Sequence, residues 1–157
     1  MRLAMRFHAL ALAGLCATAP AVRADTALPA AHDLRASAAA AAARGEALVV
    51  LFSLPGCTYC ETVRASTYRW LVRDGDPVVQ VDMRGHDVIR GFDGRVTDGA
   101  ALARSYRVHL APTALFVGPG GDELAARLVG AGVPDYYGGE VDQARQDAAA
   151  KLRAARR

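Results

Sequence analysis

The sequence contains few cysteines, no long apolar run and no excess of basic residues beyond its first two dozen positions. With 157 residues, of which 52% are hydrophobic and 22% charged, it is long enough to form one domain around its own core. This composition is unlike that of a disordered protein. No uninterrupted apolar run approaches the roughly 20 residues that a transmembrane helix needs. The sequence thus favours a single globular domain.

Residues 1–24 have the three-part organisation of a secretory signal peptide. Arg2 and Arg6 form a basic start, residues 9–19 form a short apolar stretch, and residues 22–24 (Val-Arg-Ala) have short side chains at their two outer positions, as a signal peptidase site requires. We therefore predict cleavage after Ala24 and export, to the periplasm in a cell with two membranes. An N-terminal helix of the mature fold is the alternative.

Removal of the signal changes both the cysteine count and the charge balance. Of the three cysteines, Cys16 would be lost, leaving Cys57 and Cys60. The signal carries three of the 19 basic residues and none of the 16 acidic ones, so the mature chain would carry 16 of each. A basic nucleic-acid-binding face has no support in this composition, and we do not expect a nucleic acid partner.

The rest of the chain divides into a linker at residues 25–32 and a domain at residues 33–157. Hydrophobic patterns and turn residues predict alternating helices and strands. In order, they are a helix at 33–44, a buried strand at 47–53, a helix at 60–73, a strand at 77–83, a long loop at 84–97, a helix at 98–107, strands at 113–117 and 123–129 joined by a turn, and a helix from about 135 to 157. In the helix at 60–73, Val63 and Trp70 are predicted to face the core and Arg64 the solvent.

Cys57 and Cys60 are separated by two residues and follow the first predicted strand. Such a pair can hold a metal, form a structural disulfide or exchange electrons as a dithiol and disulfide. A disulfide that closes so short a loop adds little stability on the loop-entropy view, which disfavours the structural interpretation.

A metal site would need two further ligands beside the sulfurs. The candidates are His32, His86 and His109, and none lies at metal-finger spacing from the cysteines. We predict no metal ligands and no cofactor, and keep a zinc- or copper-binding protein as an alternative.

The order of elements, with Cys-x-x-Cys opening a helix and Ala111-Pro112-Thr113 preceding a strand hairpin, resembles the thioredoxin fold. The resemblance covers the chain from about residue 33 onward and implies an α/β domain with a central mixed β-sheet flanked by helices. Residues 52–61 (Phe-Ser-Leu-Pro-Gly-Cys-Thr-Tyr-Cys-Glu) and the loop at 92–94 are most similar to exported SoxW-type thioredoxins. The tyrosine before the second cysteine is similar to glutaredoxins and the DsbC and DsbG proteins.

Six residues around the two motifs are expected to form the site. Cys57, at the first turn of a helix, is expected to be the nucleophile that attacks a substrate disulfide, because the helix dipole stabilises a thiolate there. Cys60 is expected to resolve the mixed disulfide. The Ala111–Pro112 peptide bond is expected to be cis and to lie against the cysteines, with Ala111 available for pairing with substrate. Thr58 and Tyr59 are the further candidates for substrate contact.

One departure from the thioredoxin pattern concerns proton transfer. Thioredoxins carry a buried acid six residues before the first cysteine, where this sequence has Leu51. Proton transfer at Cys60 would then use Glu61, Tyr59 or water. An acid at a helix start, however, is usually a surface residue that compensates the dipole, and we favour that role for Glu61.

The expected function is that of an exported thiol–disulfide oxidoreductase that reduces disulfide-bearing exported proteins. The SoxW-type resemblance implies recharging by a membrane-embedded electron donor, and we expect a monomer. Residues 58–59 differ from the thioredoxin dipeptide that tunes the redox potential, so an oxidase of protein thiols remains the alternative within the same fold.

Overall fold

The computed structural model describes residues 27–156; the predicted signal peptide lies outside them. Five α-helices, one π-helical turn and six strands make up this part of the chain. In chain order they are α1 (Leu34–Ala43), β1 (Leu48–Ser53), α2 (Thr58–Val63), the π-helical turn (Arg64–Tyr68), α3 (Arg69–Arg73), β2 (Val78–Asp82), β3 (Ile89–Arg90), β4 (Val96–Thr97), α4 (Gly99–Ser105), β5 (Thr113–Val117), β6 (Leu128–Val129) and α5 (Pro134–Ala155). None of these helices combines the length and apolar character needed to cross a bilayer.

A four-stranded mixed sheet in the order β2-β1-β5-β6 forms the centre of the domain. β1 runs parallel to β2 and antiparallel to β5, while β6 pairs antiparallel with β5. Every residue of β1 and β5 is buried, as expected for strands covered on both faces. The predicted α/β class with a central mixed sheet flanked by helices is confirmed.

Alternate residues of β1 face two separate hydrophobic clusters. Val49 and Leu51 pack with residues of α2 and α5, whereas Leu48, Val50 and Phe52 pack with residues of α1 and α4. This alternation follows from the two-residue period of a strand. Burial of each large side chain stabilises the fold by roughly 1.5–3 kcal/mol.

The helix predicted at residues 60–73 is interrupted, and its predicted faces are wrong at two positions. Arg64, expected at the surface, is only 6% exposed, and Trp70, expected in the core, is 40% exposed. The π-helical turn at Arg64–Tyr68 adds a residue to one turn and so rotates the following face relative to a 3.6-residue pattern. As a result Tyr68, which is fully buried, takes the core position.

Two other segments differ from the sequence prediction. The loop predicted at 84–97 contains a small two-stranded sheet in which Ile89 pairs with Thr97 and Arg90 with Val96. The strand predicted at 123–129 is broken: Glu123 forms an isolated bridge with Val117, and regular pairing resumes only at Leu128–Val129.

Residues 27–32, within the segment interpreted as a linker, pack onto the domain. Leu28 and Ala31 are each 6% exposed. Ala30 forms a parallel bridge with Gln80 of β2, supported by backbone hydrogen bonds from Ala31 to Gln80 and from Gln80 to Pro29. These contacts cover the edge of β2, which would otherwise present unpaired backbone groups.

The sheet brings the two motifs singled out in the sequence to the same end of its central strands. β1 and β5 run in opposite directions, with Phe52 opposite Thr113. The segment that follows β1 and the segment that precedes β5 therefore emerge side by side. The first carries Cys57 and Cys60, and the second carries Ala111 and Pro112.

Candidate active site

Cys57 and Cys60 form a disulfide at the start of α2, with their Cα atoms 5.2 Å apart. Cys57 is the N-cap of the helix, and its Sγ accepts a hydrogen bond from the backbone N–H of Cys60 at 3.2 Å. Gly56, with φ of +70°, makes the turn before it. A sulfur in this position meets an unpaired helical N–H and the positive end of the helix dipole, and both favour a thiolate in the reduced state.

The two sulfur-bearing residues differ in exposure. Cys60 is fully buried, and Cys57 is partly exposed. An incoming molecule can therefore reach Cys57 and not Cys60. This difference is what a two-step exchange requires, since one sulfur must meet the partner and the other must act from within.

The Ala111–Pro112 segment lies against the disulfide. Its peptide bond is cis, and the carbonyl oxygen of Ala111 is 4.0 Å from the Sγ of Cys57. The segment is fixed on both sides, because the Thr113 hydroxyl donates to the Leu110 carbonyl at 2.8 Å and the Gly130 N–H donates to the Pro112 carbonyl at 2.7 Å. Pro112 itself is buried.

The residues next to Cys57 and Ala111 in the chain have exposed side chains. Tyr59, between the cysteines, is 69% exposed, and Leu110, next to Ala111, is 62% exposed. Thr58 is also exposed, and its carbonyl accepts a hydrogen bond from the Thr62 hydroxyl. Large apolar side chains left in solvent at such a position are suited to contact a partner. Leu110 was missed by the sequence interpretation, although it directly precedes the Ala-Pro pair.

Leu51, at the position of the buried acid in thioredoxins, is fully buried and belongs to the cluster on the α2 side of the sheet. The ionic groups beside the site are instead Glu61 and Arg64. They form a two-point ion pair across one turn of the helix. Glu61 is 54% exposed at its side chain, so it lies at the surface, as favoured from the sequence, but it is paired with a buried guanidinium.

Arg64 connects the cysteine helix to the two strands behind it. Its Nη1 donates to the Ser53 hydroxyl at 2.8 Å and to the Gln80 side-chain oxygen at 2.5 Å. A buried charge needs such partners to offset its loss of hydration. Together with Glu61 and Asp82, Arg64 lines a cavity of about 420 Å³. Sequence reasoning missed this residue, and the Glu61–Arg64 spacing on a helix was the available signal.

The three histidines considered as metal ligands form no cluster with the two cysteines in the described part of the chain. His86 Nδ1 is 3.0 Å from Asp98 Oδ2, His109 is exposed, and the His32 backbone carbonyl accepts from Arg90. Within residues 27–156, no group of three or more His, Cys, Asp or Glu side chains is placed to hold a metal ion.

Comparison with known proteins identifies the fold. No family model matches the sequence, and no curated protein matches it. Solved structures do match. A protein described as DsbH oxidoreductase superposes with a TM-score of 0.52 at 17% identity, covering 85% of this chain and 94% of its own. A poplar thioredoxin h superposes with a TM-score of 0.50 at 16% identity, covering 72% and 95%. The chain has the thioredoxin fold.

Proposed function

We propose that this chain is a thiol–disulfide oxidoreductase that reduces disulfides of exported partner proteins. The observation that carries the proposal is the asymmetry of the Cys57–Cys60 disulfide. Cys57 is accessible and caps a helix, whereas Cys60 is fully buried one turn further on. A merely structural disulfide would need neither an accessible sulfur nor an adjoining segment such as Ala111–Pro112.

In the proposed reaction, the dithiol form acts in two exchange steps. The Cys57 thiolate attacks one sulfur of the partner disulfide, forms a mixed disulfide and releases the other partner sulfur as a thiolate. The Cys60 thiolate then attacks the Cys57 sulfur and releases the second partner thiolate. Two electrons pass from the protein dithiol to the partner, the released thiolates take up protons, and the Cys57–Cys60 disulfide is left to be reduced again.

Several site features support these roles. The Cys60 N–H and the helix dipole lower the cost of a thiolate at Cys57. The neighbouring Ala111 offers a backbone carbonyl next to the reacting sulfur, and Tyr59 and Thr58 offer exposed contact surface. With Leu51 in place of an acid, we propose that the Cys60 thiol gives up its proton to water before it attacks the Cys57 sulfur.

We further propose a SoxW-type protein: a periplasmic monomer, exported by its first 24 residues and recharged by a membrane-embedded dithiol electron donor. The similarity of residues 52–61 to SoxW-type sequences supports this assignment. The similarity to a structure described as DsbH oxidoreductase supports the fold on which this chemistry would take place.

A redox titration combined with insulin reduction tests the direction of electron flow. The purified protein is equilibrated in glutathione or dithiothreitol buffers of known potential, and the reduced fraction is counted by thiol alkylation. We expect a reducing potential and catalysed precipitation of insulin by dithiothreitol. A strongly oxidising potential, with the pair recovered from cells as a disulfide, would contradict the reductase and favour a thiol oxidase.

A further inference from the structure

A second cavity lies on the other side of the sheet from Arg64, between α4 and the end of β2. It has a volume of about 370 Å³. Its charged and titratable lining residues are all basic: Arg84, His86, Arg104 and His109. Its floor is formed by the partly or fully buried apolar side chains of Met83, Ala103 and Val108. We name this surface, with these seven residues, the cationic groove.

The guanidinium groups of the two arginines of the cationic groove have no hydrogen-bonded partner in the described part of the chain, although Arg104 interacts electrostatically with Asp98. Within residues 27–156, seven arginines pair with a carboxylate. Neither Arg84 nor Arg104 forms an ion pair or a side-chain hydrogen bond with any residue in that range. The nearby acids are already engaged: Asp98 bonds with His86 and caps α4, and Asp82 accepts from the Arg84 backbone N–H.

The cationic groove ends next to the accessible sulfur. His109 is separated from Ala111 by one residue, so their Cα atoms lie at most about 7 Å apart. The Ala111 carbonyl is in turn 4.0 Å from the Cys57 Sγ. A chain segment that pairs with Ala111 would therefore lie next to His109, at the end of the cationic groove.

We propose that the cationic groove binds an acidic, extended segment of the partner protein, adjacent to the disulfide that Cys57 attacks. Two unpaired guanidinium groups at the rim complement carboxylates, for which arginine is the preferred partner. The apolar floor suits small aliphatic side chains between them. The cavity on the other side of the sheet offers no such attraction, because Arg64, the cation that lines it, is already paired with Glu61. This inference rests on the proposed function and adds the charge of the substrate to it.

Peptide binding tests the proposal without depending on redox chemistry. Fluorescent cysteine-free peptides of equal length, one acidic, one neutral and one basic, are titrated with the purified oxidised protein at low and high salt. We expect the acidic peptide to bind most tightly and to lose affinity as salt screens the charges. In Arg84→Gln/Arg104→Gln its affinity should fall by about three- to tenfold, as for two surface charge contacts.

A control variant and a comparison ligand distinguish the proposed site from a general attraction between charges. Arg153→Gln removes an exposed cation from α5, on the far side of the sheet, and should leave binding unchanged. Equal affinities for acidic and neutral peptides, or equal losses in the control and the double variant, would overturn the proposal. The proposal would also be overturned if anionic lipid vesicles bound the protein as tightly as the acidic peptide does. A general attraction to polyanions would then explain the binding. Reduction of a neutral disulfide peptide by the wild-type protein tests the proposed function separately.

Discussion

The guanidinium of Arg64 and the hydroxyl of Ser53 are joined by a buried hydrogen bond of 2.8 Å. It links the helix that carries Cys60 to the end of the strand from which the cysteine loop departs. Ser53 is 1% exposed, so in the folded protein its hydroxyl depends on the guanidinium as a partner. The orientation of the cysteine helix on the sheet thus depends on a polar contact as well as on apolar packing.

Replacement of Arg64 by methionine is expected to destabilise the fold by about 1–3 kcal/mol, because it leaves the buried Ser53 hydroxyl unpaired. Urea unfolding followed by circular dichroism measures the change. The matched control is Glu61→Gln, which removes the charge of the exposed partner but leaves a side-chain oxygen that can still accept from the buried guanidinium, and it should cost less than Arg64→Met. Equal losses in the two variants would show that the ion pair, and not the bond to Ser53, carries the contribution.

The buried hydroxyls of Tyr68 and Tyr137 form a hydrogen bond of 2.8 Å, and their rings meet edge to face. Tyr68→Phe or Tyr137→Phe alone should lower the free energy of unfolding by about 1–2 kcal/mol, because each leaves the other buried hydroxyl without its partner. The double variant should lose little more than either single one. A double-mutant cycle of unfolding free energies measures this coupling, and strictly additive losses would contradict it.

Burial raises the pKa of Tyr106 to about 12, and the nearby Glu123 and Asp122 carboxylates contribute. The folded protein therefore keeps this proton at pH values where the unfolded chain has lost it. Its contribution to stability is complete below pH about 10 and declines as the pH rises towards 12. Unfolding free energies from pH 8 to 11.5 should fall more steeply in the wild type than in Tyr106→Phe. Parallel profiles would refute the assignment.

Two helical glycines, one at the start of α4 and one inside α5, should respond oppositely to substitution by alanine. A Cβ on Gly99 would lie 2.0 Å from the backbone oxygen of Asp82, so Gly99→Ala must displace α4 from β2 and should destabilise strongly. Gly138, inside α5, has no atom within 4 Å of such a Cβ. There alanine should stabilise by roughly 0.5–1 kcal/mol through helix propensity. Thermal melting of both variants distinguishes them, and similar shifts would contradict the close approach.

Local patterns were sufficient to predict much of this fold. The apolar run of β1, the capped start of α4 at Asp98 and the glycine after α1 are signals contained in a few neighbouring residues. The same is true of the Cys57–Cys60 motif. The two-residue strands β3 and β4 are too short to leave any periodic pattern, which explains why they were interpreted as loop.

The site residues that could not be predicted depend on contacts between distant segments. Arg64 was expected at the surface because arginine usually is, and because a regular helix would point it outwards. Its burial depends on Ser53 and Gln80, which lie 11 and 16 residues away in sequence. The widened turn that follows it has no local sequence signature comparable to a cap.

Trapping of the mixed disulfide tests the central claim most directly. Cys60→Ser retains the accessible nucleophile and removes the resolving thiol, so it should accumulate a covalent, reductant-sensitive complex with a disulfide-bearing peptide. The complex should contain Cys57, as identified by mass spectrometry, and Cys57→Ser should form none. If Cys57→Ser traps the peptide as efficiently as Cys60→Ser, or if neither variant traps it, Cys57 is not the attacking residue and the proposed exchange reaction is wrong.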